Sequence, residues 1–166
     1  MPMPIHSTMT APAQLAKHLR ELFFGDNWTC SDLKTHLAGV TWQQATTQVY
    51  NFNTIAALVY HMSYYVSGIS KVLQGGPLET KDTLSFSHPP ITSEADWQDF
   101  LNTIWADAER FAALVEQLPE TKLWEEFVSP DYGIYFRNLL GVIEHTHYHL
   151  GQVVLVKKLV QVSRES

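Results

Sequence analysis

The sequence predicts an all-α protein built as a four-helix bundle with long connections and short extra helices. Three observations carry this. Four long segments place apolar residues at 3-and-4 spacing. Cap or breaker residues bound them. The period-2 alternation of a half-buried strand is absent over any length. Such helices must bury their apolar stripes against one another, and a bundle is the simplest way to do so. With 166 residues, 45% of them hydrophobic, the chain suits one domain with a core of useful size. It divides into a loose N-terminal tail, residues 1–11, with two prolines, and a single domain, residues 12–163.

The first long helix begins at Pro12, a favoured first-turn residue. Leu15, Leu19, Leu22 and Phe23 recur at helical spacing, and Gly25-Asp26-Asn27 ends the run. A connection of about 25 residues follows, long for such a fold. It is expected to hold two short helices, one over residues 31–37 and one from Thr41, where Gln44 completes a capping-box pattern. Asn51-Phe52-Asn53 is expected to cap the second long helix, whose stripe includes Ile55, Leu58, Met62, Tyr65, Val66 and Ile69. Gly75-Gly76-Pro77 stops it. A second connection, residues 78–92, contains Pro89-Pro90. Ser93 caps the third helix, with Glu94 and Asp96 suited to its positive end, and Pro119 closes it. The fourth helix runs from residue 133 towards residue 163. Trp28, Trp42, Trp97, Trp105 and Trp124 are expected to fill or cover the core.

Composition excludes several function classes. The formal net charge is -6, and no basic cluster exists beyond Lys157-Lys158, so a nucleic-acid partner is not expected. No run approaches the roughly 20 apolar residues of a membrane span. Residues 1–6 lack the basic start and apolar run of a signal peptide. Cys30 is the only cysteine, which rules out an internal disulfide and suits a reducing, cytoplasmic setting. Nothing nearby would activate its thiol, so it reads as an ordinary small residue.

The chemistry concentrates in Glu144-His145-Thr146-His147-Tyr148-His149-Leu150-Gly151-Gln152. On a helix His145 and His149 share a face, and Gln152 follows on it. His147 lies about 200° from His145 and points elsewhere. An imidazole pair one turn apart can hold a divalent ion but needs a further ligand. His61 is the natural one, because it interrupts the stripe between Leu58 and Tyr65, where an unpartnered imidazole is costly. Val142 and Val156 extend the same seam on the histidine helix. Three histidines leave a coordination position open for water or substrate, as catalytic sites do. The same pattern fits a hydrogen-bonded polar cluster without an ion, and the residues alone leave both readings standing. Gln152 is placed to orient a ligand or a bound water. Glu144, about 100° from His145, reads as a solvated surface residue. His6, His18, His36 and His88 have no partner at ligand spacing and read as surface residues. No catalytic side chain stands out, and Arg20, Arg110 and Arg137 are the cations free to meet an acidic cofactor.

Further residues extend this pattern: Asn53-Thr54-Ile55-Ala56-Ala57-Leu58-Val59-Tyr60-His61, Gly75-Gly76-Pro77 after that helix, Trp97, and the closing His145-x-x-x-His149-x-Gly-Gln152. On these the chain resembles the DinB-like (DinB/YfiT-like) superfamily of four-helix bundles over nearly its whole length. Phe24-Gly25-Asp26-Asn27-Trp28 is similar to one bacterial subgroup of it. The resemblance implies that His61, His145 and His149 bind one divalent ion, nickel or zinc. It implies a homodimer acting on a small molecule, as a metal-dependent S-transferase using a low-molecular-weight thiol such as bacillithiol or mycothiol, or as a hydrolase. The alternative is a non-catalytic metal-binding or stress-response dimer, in which the ion is structural and staples the second and fourth long helices.

Overall fold

The computed structural model describes residues 9–165, and these are all-helical. The α-helices are α1 (Ala11–Phe24), α2 (Leu33–Leu37), α3 (Trp42–Thr46), α4 (Ile55–Leu73), α5 (Glu94–Glu116) and α6 (Tyr135–Glu165). Short 3-10 turns occupy Asp82–Leu84, Glu120–Trp124 and Pro130–Tyr132. Among the described residues, the only β-type pairing is an isolated bridge between Glu126 and Ile134. No helix there is long and apolar enough to cross a membrane.

Oxygen-bearing side chains set where most helices start, because the first-turn N–H groups have no partner within the helix. Thr10 accepts from the Ala13 N–H and starts α1 one residue before Pro12. Of the expected tail, residues 1–8 lie outside the described residues. Asp32 caps α2, which therefore begins at Leu33 rather than at residue 31. Thr41 and Gln44 form the full capping box expected for α3. The cap of α4 is Thr54, whose hydroxyl accepts from the Ala57 N–H, and not Asn51 or Asn53. Ser93 caps α5 as expected. The start of α6 shifts from residue 133 to Tyr135, because Gly133 adopts a φ of 72° as it leaves the preceding 3-10 turn. At the end of α4, Gly75 has a φ of 86°. Its N–H reaches the Val72 carbonyl, and the Gly76 N–H reaches that of Lys71, the two bonds of a Schellman motif.

The four long helices pack α1 against α5 and α6, and α4 against α5 and α6. Leu19, Leu22 and Phe23 of α1, Ile55, Val59 and Met62 of α4, Phe111 of α5 and Leu139 and Val153 of α6 are almost wholly buried. Trp97 is fully buried, and its indole N–H donates to the Val40 carbonyl at 2.8 Å, tying α5 to the α2–α3 connection. Arg20 joins α1 to α5 through Glu109 and Glu116, each at 2.8 Å. It is therefore not free to meet a cofactor.

Two tryptophans depart from expectation. Trp28 is 94% exposed, and Trp124 is also exposed. Asn27 takes the buried slot in the loop after α1 and donates to the Glu21 and Ser31 carbonyls, which turns Trp28 outwards. The histidines read as surface residues are half-buried where described. His36 bonds Ser31 at 2.9 Å, and its carbonyl accepts from the Lys157 ammonium at 2.7 Å. His18 faces His147, with ring centroids 6.0 Å apart. His88 bonds the Pro89 carbonyl, and His6 lies outside the described residues.

Thr146 is completely buried on α6, and its hydroxyl has no hydrogen-bond partner among the described residues. An unsatisfied buried hydroxyl costs about 1 kcal/mol or more. Thr146→Val is therefore expected to stabilise the protein by about 1 kcal/mol. Thermal denaturation should show a rise of roughly 2–4 °C for a chain of this size, and an unchanged or lower midpoint would refute the assignment.

Candidate metal centre

Antiparallel packing of α4 and α6 brings His61 against His145 and His149. His61 and His149 are only 7% and 8% exposed, and His145 is half-buried. One ring nitrogen from each lies within 4.8 Å of the other two. The ring centroids are 4.5 to 4.8 Å apart. His61 Nε2 and His145 Nε2 approach to 3.0 Å. Two imidazole nitrogens on one tetrahedral zinc-like ion would stand roughly 3.3 Å apart, so the observed separation is close to what a shared ion requires.

The hydrogen bonds around the rings decide which nitrogen carries a lone pair. The Ser85 hydroxyl donates to the Asp82 carbonyl at 2.7 Å, which uses its only proton. At 2.9 Å from His61 Nδ1 it can then only accept, so His61 is protonated at Nδ1 and bare at Nε2. Gln152 Oε1 likewise accepts from His149 Nδ1 at 2.7 Å, leaving His149 Nε2 bare. Two outward N–H groups thus aim two lone pairs into the seam, the usual arrangement of metal-binding histidines with oriented rings. Without a cation, His145 can satisfy only the His61 lone pair, by donating its own Nε2–H.

Electrostatics favour the uncharged form of His145 and His61. Burial, then the neighbouring His149 and His61, pushes the His145 pKa down to about 4. His61 is also lowered, first by burial and then by His149, partly offset by Ser85 and Asp82. Neutral imidazole is the ligand form.

Aromatic rings enclose the trio. Phe86 stacks on His61 with centroids 3.9 Å apart and planes 6° from parallel. Tyr65 lies edge-on to His61 and His145 at 5.2 and 5.1 Å. Its hydroxyl donates to the Asp82 carboxylate at 2.7 Å, while the Lys81 N–H donates to the Tyr64 hydroxyl at 2.8 Å. Residues 81–86 are therefore fastened to α4 beside His61. Close approach permits this: a Cβ on Gly68 would lie 2.4 Å from Thr80 Cγ2.

Of the residues expected at the site, His61, His145, His149 and Gln152 come together. His147 faces α1 instead, and Glu144 is exposed as expected. Cys30 is exposed with a φ of 51° in the loop after α1. Arg110 pairs with Asp107, leaving Arg137 as the exposed arginine without an ion-pair partner among the described residues. Sequence reasoning missed Ser85, Phe86 and Asp82, which sit in an aperiodic connection, and placed Tyr65 in the apolar stripe alone. No protein-family model, curated protein or solved structure matches this chain.

A histidine whose folded pKa lies below its unfolded value near 6.5 makes the unfolded state the better proton acceptor. His145 therefore contributes no pH dependence well above 6.5 and costs stability as pH falls towards about 4. The midpoint of EDTA-treated protein is expected to fall between pH 7 and pH 5, and to fall less in His145→Leu. Circular dichroism melts at matched ionic strength check this, and equal slopes for the two proteins would count against it.

Proposed function

We propose that this chain is a DinB/YfiT-like four-helix bundle that binds one divalent ion, nickel or zinc, through His61, His145 and His149. Its proposed role is that of a metal-dependent enzyme on a small molecule, either a thiol-dependent S-transferase or a hydrolase. The observation that carries this is the pair of Nδ1–H groups donated outward to Ser85 and Gln152, which turns two bare Nε2 atoms towards one point beside a third imidazole. A purely hydrogen-bonded cluster has too few protons in the seam to satisfy those lone pairs. The motif His145-x-x-x-His149-x-Gly-Gln152 and the helix from Asn53 to His61 support the family reading.

An ion on three neutral imidazoles keeps its full charge and supplies one chemistry, the lowering of the pKa of a bound thiol or water. Ser85 and Gln152 orient the ligands, while Phe86 and Tyr65 wall off water on the α4 side. Arg20 and Arg110 are engaged by carboxylates, so recognition of an acidic thiol would fall to Arg137. Burial of His61 and His149 favours a second reading, an ion that only staples α4 to α6 in a non-catalytic dimer. The homodimer is part of either reading, with the exposed Trp28 and Trp124 as apolar surface that a second copy would cover. The cytoplasm is the proposed compartment.

Elemental analysis of untagged protein and calorimetric titration with zinc and nickel test the centre. One ion per chain is expected, with binding abolished in His149→Ala and weakened roughly 10- to 100-fold in Gln152→Leu and Ser85→Ala. Absence of stoichiometric metal in the unmodified protein would sink the proposal. Metal-dependent turnover with bacillithiol, glutathione or water against a panel of electrophiles marks the enzyme. A chelator-sensitive melting point without turnover marks the staple.

A further inference from the structure

Beyond the histidines, on the N-terminal side of His61, residues of α4, α6 and the α3–α4 connection line a groove of about 540 Å³. That volume falls within the roughly 300–1,000 Å³ usual for small-molecule sites. Its walls are apolar: Phe52 from the α3–α4 connection, Leu58 from α4, and Leu155, Val156 and Leu159 from α6. Phe52 and Leu155 are exposed along it. The polar lining is small and one-sided. Asn51 and Asn53 stand on the connection, and among the described residues Lys158 is the single charged residue lining the groove and no carboxylate lines it. Gln152 belongs to both places. Its Oε1 is committed to His149, while its amide N–H₂ has no hydrogen-bond partner among the described residues.

We propose that this groove binds an aliphatic carboxylate or its acyl derivative. The alkyl chain lies between Phe52 and Leu155, and the carboxyl oxygen accepts from the Gln152 amide. Three physical points select this ligand. An unbranched chain removes Phe52 and Leu155 from water. Lys158, with no opposing carboxylate among the described residues, favours an anion over a cation. A carboxyl head is an acceptor, which matches the free donor that Gln152 offers. The assignment deepens the metal-centre reading and rests on it in one respect: Gln152, which holds the head group, also fixes the His149 ring through Nδ1, so the ligand ends one side chain away from an ion-binding imidazole. The groove then supplies the substrate class that the histidines alone do not name.

Decanoate is the probe, titrated by calorimetry into zinc-loaded and EDTA-treated full-length protein, with decylamine as the cationic control of equal chain length. One decanoate per chain is expected. Decylamine should bind at least tenfold more weakly, and Leu155→Glu, at an exposed position, should raise the decanoate Kd at least tenfold. Zinc stoichiometry should be unchanged in Leu155→Glu. No saturable decanoate binding in protein that takes up zinc overturns the groove assignment and leaves the metal centre standing. Decanoate binding in protein that takes up no zinc supports the groove while the metal reading fails. Equal affinity for decylamine, or full affinity in Leu155→Glu, overturns the assignment. So does Leu155→Glu converting a dimer to a monomer with no decanoate bound by either form, which would make a second copy the occupant.

Discussion

His61 and His145 meet Nε2 to Nε2 at 3.0 Å across the α4–α6 seam, with His149 close behind. Three imidazoles in so small a space cannot carry three protons' worth of charge, because burial and mutual repulsion both oppose it. His61 and His145 are held towards the neutral form, and neutral rings expose lone pairs that need somewhere to point. The surroundings follow from this requirement. Ser85 and Gln152 each remove one Nδ1 proton from contention by accepting it. Leu58, Val142 and Val156 close the seam above and below. The hydrogen bonds determine which nitrogen of His61 and of His149 is bare, something that burial alone leaves open.

The helical frame was legible because local chemistry wrote it. Ser93, Thr41 with Gln44, and the glycines after Leu73 each act within one turn, so reading them needs no knowledge of the fold. His61, His145 and His149 were legible for a related reason: each breaks an apolar period that α4 and α6 otherwise keep. Local rules failed where neighbours compete. Thr54 outbid Asn53 as the cap of α4, and Asp32 outbid Ser31 at α2, where Ser31 turned to His36 instead. Trp28 was placed by its type, but Asn27 has two carbonyls to satisfy and occupies the interior position. Arg20 looked available because Glu109 and Glu116 are about ninety residues away in sequence.

The residues that tune the histidines were the least legible. Ser85 and Phe86 lie in a proline-flanked connection with no period to read. Their positions depend on the path of the chain between α4 and α5, which no short window contains. Tyr65 did appear in the α4 pattern, yet its hydroxyl faces Asp82, as that of Tyr64 faces Lys81, relations visible only once the chain has turned back. The histidines belong to helices, and the group that fixes the His61 proton belongs to a loop.

That turn-back depends on an atom that is missing. At residue 68 the side chain is a hydrogen, and Thr80 presses into the space where any Cβ would stand. From that contact the chain needs only five residues to bring Ser85 to the far nitrogen of His61. A methyl group at position 68 would collide with the Thr80 side chain and press on the loop that carries Ser85 to His61. The electronic character of an imidazole near the centre of the protein is thus governed by steric clearance seven residues further along the same helix, at a position with no polar side chain.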